Sequence, residues 1–189
     1  MKKDEITLKS IVHQTFVGEF YPYNVEQKND EEIDSYINNI VGSLSSINNL
    51  EVEADFNHYG SGYASYVPIF CYKKDGSTTE IVKGNKTING ILLYVCRHAP
   101  VAAYGRSQVT RDSHGGSREF LTSKLIGTVP SGDWMEIENR IKEYLNNYHF
   151  EILSKDFLEE PLDFNILIPT NFNENESYTI FDCFFFWED

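Results

Sequence analysis

A chain of 189 residues, 41% hydrophobic and 24% charged, has the size and balance of one ordinary globular domain. That excludes a disordered chain, a coiled coil and a collagen-like repeat. The net charge of −13 argues against nucleic acid as a partner, because phosphate neutralisation needs a basic surface. No apolar run approaches the ~20 residues of a membrane helix, and no apolar segment follows the lysines of MKKDEITLKS. The expectation is a cytosolic protein without a membrane partner.

In chain order, IVHQTFVGEFYPY (11–23) mixes apolar residues without a clean period, and Pro22 stops whatever precedes it. Asn29-Asp30-Glu31-Glu32 then gives a helix start with acids in the first turn. Ile33, Tyr36, Ile37, Ile40, Val41 and Leu44 recur at helical spacing, which predicts a helix over 31–47. From Leu50 the sequence alternates: Leu50, Val52, Ala54 and Phe56 against Glu51, Glu53, Asp55 and Asn57. That is a half-buried strand with an acidic face. YASYVPIFCYKK (63–74) reads as a second strand, with Pro68 suggesting an edge or a bulge. Asp75-Gly76 is a hairpin signal, TEIVK follows, and ILLYVCR (91–97), apolar on both faces, reads as the central strand.

Past His98 the reading is strand fragments at VAAYG and SQV, an exposed loop TRDSHGGSR, and a strand within Phe120–Val129. Trp134, Ile137, Ile141, Tyr144, Leu145 and Tyr148 line one face of a helix over 134–147. FEILS, DFNILI and a closing YTIFDCFFFWED are read as strands. Two helices among some seven strands predict a single α+β domain over 1–189, with a mostly antiparallel sheet and two main helices packed on it.

Charge is unevenly distributed. Residues 1–60 carry 11 acids and 4 bases, 61–130 carry 4 and 9, and 131–189 carry 14 and 3. Four arginines, Arg97, Arg106, Arg111 and Arg118, lie in one glycine-punctuated segment. Planar guanidinium groups recognise carboxylate or phosphate, so Arg106, Arg111, His114 and Arg118 form a candidate anion site. Asp112 and His114 would be its acid/base pair were the anion a phosphodiester. The bland alternative makes these arginines internal counter-charges for the protein's own acids.

Other chemistry finds no template. G-x-S-x-G, HExxH, paired cysteines, an EF-hand loop, GxxxxGK[ST] and GxGxxG are all absent. No cofactor and no metal is expected. Cys71, Cys96 and Cys183 sit in apolar stretches and read as free buried thiols. Cys96 and His98 fall on one strand face, raw material for a thiol nucleophile, but a core cysteine is the commoner outcome. The favoured function is a non-catalytic binding protein for a basic partner, such as an immunity-type inhibitor of a nuclease-like toxin. Glu51, Glu53 and Asp55 are its candidate partner-binding face. The alternative is an enzyme or small-molecule binder using the Arg/His segment 97–118.

Overall fold

Asp4 starts the first helix, α1 (Glu5–Val12), where its carboxylate accepts from the Thr7 N–H at 2.9 Å. The computed structural model describes residues 4–25, 30–82, 84–112, 115–171 and 177–188. The two expected helices are α2 (Asp30–Ser45) and α3 (Met135–Asn147). Acids occupy the first turn of each, and the stripes Ile33, Ile37, Ile40, Leu44 and Ile137, Ile141, Leu145 are buried. α1 falls partly in the stretch that showed no clean period in the sequence.

The chain is an α+β fold built on a large antiparallel sheet. Its strands are β1 (Leu50–Ala54), β3 (Tyr66–Lys73), β4 (Thr79–Val82), β5 (Asn85–Cys96), β6 (Val101–Asp112), β7 (Gly115–Arg118) and β8 (Glu151–Ile152). The hydrogen-bonded order is β1-β3-β5-β6-β7, with β4 also on β5 and β8 parallel to β6. A separate ribbon pairs β2 (Tyr63–Ala64) with β9 (Trp187–Glu188). Among the described residues no helix is long and apolar enough to cross a membrane.

Apolar residues cover both faces of the sheet, so there are two cores. Leu50, Ile69, Leu93 and Tyr104 face α2 and α3, while Phe70, Leu92, Tyr94 and Val109 face α1 and the C-terminal residues Phe181–Phe186. Leu50, Leu92, Tyr94, Ile137, Ile141 and Phe185 are buried as expected, but Val52 and Phe56 are only half-buried. β1 is an edge strand, so one side of Val52 has no neighbouring strand to cover it.

Six local expectations are not met by the structure. Pro68 lies in β3, an interior strand, and is tolerated because its missing N–H faces β1 where that ladder ends at Asp55. The turn at Asp75-Gly76 joins β3 to β4 without pairing them, since both strands pair with β5 instead. The stretch read as fragments and loop is one 12-residue strand, β6, with β7 paired back onto it. The expected closing strand is mostly a short helix, α5 (Ile180–Phe184), begun by a capping box in which Asp182 accepts from the Thr179 N–H at 2.7 Å, and only Trp187–Glu188 is strand. Four of the five helical residues, Ile180, Phe181, Cys183 and Phe184, are buried, so no single apolar face marks the helix in the sequence. α4 (Lys155–Leu158) precedes it. Phe120–Val129 and DFNILI hold no strand, although Ile126 bridges to Gly105.

Candidate functional site

Strand parity decides which arginines meet. Along β6, Val101, Ala103 and Val109 face the α1/α5 core while Ala102 and Tyr104 face the α2/α3 core. Arg111 is therefore on the first face and Arg106 on the second. Arg118 pairs across from Val109 and shares its face with Arg111.

Arg111 and Arg118 converge on Glu53. Arg111 Nη2 donates to Glu53 Oε1 at 2.5 Å, and Arg118 Nη2 lies 3.9 Å from Oε2. The Tyr72 hydroxyl donates to Oε1 at 2.9 Å. The Arg111 guanidinium stands 5.9 Å from the Tyr72 ring centroid and that of Arg118 5.6 Å from Phe70, both within cation–π range. Glu53 is in register with Phe70, Leu92 and Gly105, so in a flat sheet β6 lies about 14 Å across from it, and Arg111 is a further six residues along β6. A direct Arg111–Glu53 pair thus requires the sheet to curl on this face. Gly90 of β5 lies under the curl, where a Cβ would meet the Phe70 ring at 2.7 Å and would also run into the Cys71 carbonyl. Burial pushes the Glu53 carboxyl up, but the hydrogen bonds from Arg111 and Tyr72 and the two arginine charges outweigh it and hold the pKa below its usual value. The Glu53 hydrogen bond raises Arg111 in turn.

A cleft of about 520 Å³ opens beside this cluster, lined by Glu53, Ala54, Asp55, Tyr59, Ser117, Arg118 and Phe120. Of the acidic row, Glu51 lies 3.8 Å from Lys74 with both side chains about half exposed, and Asp55 accepts from the Asn57 N–H at 2.8 Å. The candidate anion site and the candidate partner face therefore meet at Glu53. Arg106 stands apart on the other face of the sheet, in a pocket shared with Glu80 and Glu119 whose charges oppose an anion. His114, and with it the Asp112–His114 pair, lies outside the described residues.

The fourth arginine became an internal counter-charge. Arg97 is wholly buried. Its Nε and Nη2 donate to the Asp34 carboxylate at 2.8 and 3.3 Å, and Nη1 donates to the Ala64 and Tyr66 carbonyls at 2.8 and 2.6 Å. Nη2 also reaches the Phe56 carbonyl at 3.3 Å. Beside it, His58 and Tyr59 hold left-handed backbone at φ 49° and 59°. His58 Nδ1 accepts from the Ala64 N–H at 3.0 Å. Burial and then the Arg97 charge lower the His58 pKa. This clasp between α2, the 56–58 segment and β3 was missed, because nothing local in the sequence joins Asp34 to Arg97.

Cys96 is buried, and desolvation pushes its thiol up to about 12, so it is a poor nucleophile. The His98 ring Nε2 meets the Tyr63 hydroxyl at 2.7 Å, and it is the His98 backbone N–H that donates to the Cys96 thiol. Cys71 and Cys183 are also free and buried. Among the described residues no three acids, histidines or cysteines are placed to hold a metal ion. No protein-family model, curated protein or solved structure matches this chain.

Proposed function

We propose that this chain is a non-catalytic binding protein for a basic protein partner, in the manner of an immunity-type inhibitor of a nuclease-like toxin. The observation that carries the reading is that arginines able to draw an anion are already held by carboxylates of the same chain. Arg97 is closed on Asp34, and Arg111 and Arg118 are gathered on Glu53. An anionic ligand would have to displace Glu53 from both. A cationic partner instead meets a molecule with 29 acids against 16 bases. Surplus acid of that size steers a basic partner to the surface and raises its association rate. The high pKa of the Cys96 thiol weakens only the thiol-nucleophile idea, and the ion pairs of Arg111 and Arg118 with Glu53 are what weaken an enzyme built on the Arg/His segment 97–118.

The test is capture of the partner from the native host, followed by stopped-flow association of the purified pair. We expect a basic partner whose association rate falls about tenfold or more between low and high salt. Glu51→Gln with Asp55→Asn should lower the low-salt rate. A rate indifferent to ionic strength, or catalytic turnover that depends on Cys96 or His114, would overturn the reading.

A further inference from the structure

We propose that the outer edge of β1 docks an extended segment of that basic partner, which joins the sheet as an added strand. This rests on the binding reading above and names its mode. The ladder fixes which groups point outward. The Asp55 N–H donates to the Pro68 carbonyl and the Lys74 N–H to the Asn49 carbonyl, both at 3.0 Å, so odd-numbered residues of β1 pair with β3. The N–H and C=O groups of Val52 and Ala54 therefore point away from the sheet. Among the described residues no hydrogen bond reaches them. Unpaired groups along a strand edge are a template for another strand, and recognition by strand addition uses such edges.

The side chains select the occupant. Val52, Ala54 and Phe56 pack against the α2/α3 core and are half-buried, so every second residue of an added strand meets apolar surface. The intervening residues meet Glu51, Glu53 and Asp55. Glu53 is held by the arginines, but the Glu51–Lys74 pair is long and half exposed, and a partner cation replaces Lys74 at little cost. The cleft beside Ala54 and Asp55 gives the incoming side chains room. The matching chemistry is an extended segment that alternates lysine or arginine with small apolar residues. A second copy does not match. Any two-fold antiparallel register that joins the outward groups of two β1 strands sets odd residues opposite odd, acid against acid.

The probe is the capped heptapeptide Lys-Val-Lys-Val-Lys-Val-Lys, titrated into the full chain with amide exchange read by NMR. The valines sit opposite Val52 and Ala54, so their N–H groups point at β1 while those of the lysines point away. N-methylation of the valines should weaken binding by about tenfold or more, whereas N-methylation of the lysines leaves it unchanged. Bound peptide should slow exchange at the Val52 and Ala54 amides. Val52→Pro, which removes an outward N–H and no β3 ladder bond, should abolish that binding in a chain that still melts cooperatively. Since the methylated peptides leave the protein untouched, the test survives even if that variant does not fold. Absence of binding, equal binding of both methylated peptides, or protection elsewhere would overturn the docking edge. So would protection that grows with protein concentration alone, which marks self-pairing. If the docking edge fails while a captured basic partner still associates in a salt-dependent way, the binding reading stands and its surface lies elsewhere.

Discussion

Two arginine–carboxylate clusters use the same chemistry in opposite settings. At the Arg97 clasp the guanidinium is wholly buried and meets a carboxylate and three backbone carbonyls. At Glu53 two partly exposed arginines share one carboxylate at the rim of a cleft. A buried charge must be satisfied by protein because water cannot reach it, so each partner of Arg97 is indispensable to the others. A charge at the rim keeps solvent as an alternative partner, so its pair contributes little and can be exchanged. The difference assigns one cluster to holding the fold together and makes the other a small contributor to stability.

The largest effect should come from breaking the first cluster. Arg97→Met leaves Asp34 and the Ala64, Tyr66 and Phe56 carbonyls without their donor, and should cost on the order of 3 kcal/mol or more in urea denaturation. A loss below about 1 kcal/mol would place Arg97 in the same class as a surface pair. Next is the curl that brings Glu53 to the arginines. Gly90→Ala puts a methyl into the Phe70 ring and the Cys71 carbonyl, and should cost about 1–3 kcal/mol. It should also detach Arg118 from Glu53, visible as a rise in the Glu53 pKa by NMR titration.

How much of this was legible in the sequence depended on whether the deciding interaction was local. The helices Asp30–Ser45 and Met135–Asn147 carry their own period and acidic first turns, and were readable. So was the central strand, apolar on both faces because both faces are covered. The acidic row is legible at Glu51, Glu53 and Asp55, but the counter-charges of Glu53 come from strands up to 65 residues further on, from Arg111 and Arg118. Alternation along a continuous 101–112 strand would have separated Arg106 from Arg111, an odd number of residues apart, had the segment not been broken into fragments and loop. The open edge of β1 left only one trace, and the half-burial of Val52 and Phe56 made it visible.

A smaller effect should follow at the second cluster. Glu53→Gln removes the shared carboxylate and should cost about 1 kcal/mol or less, because both arginines retain water. The folded pKa of Glu53 lies below the unfolded value of 4.5, so its contribution is present above pH 4.5 and is lost as pH falls through the folded pKa. Stability of the wild type should therefore drop more steeply than that of the Gln variant below pH 4.5. The variant should also acquire sulfate binding at Arg111 and Arg118, measurable as anion-dependent chemical shifts. Equal acid slopes would mean that the carboxylate is not held in solution as it is here.

The smallest effect belongs to His58, which borders the buried cluster while keeping some exposure of its own. Its folded pKa is lowered by burial and by Arg97, so the unfolded chain takes up the proton first as pH falls below 6.5. Stability is then complete above pH 6.5 and declines as pH falls toward the folded pKa. The decline should be modest, since the ring is partly open to water. His58→Asn is the informative substitution, because asparagine tolerates the left-handed backbone at φ 49° that most residues resist. It also removes the titration and offers a side-chain oxygen in place of the Nδ1 acceptor. Comparing the two proteins from pH 7.5 to 5 cancels the other histidines and leaves the His58 contribution alone. Wild type losing stability relative to the Asn variant across that range would confirm that burial and the Arg97 charge together keep the imidazole neutral. Parallel curves would show that the His58 pKa is not lowered in the folded chain, and that neither burial nor the Arg97 charge acts on the ring as the structure has it.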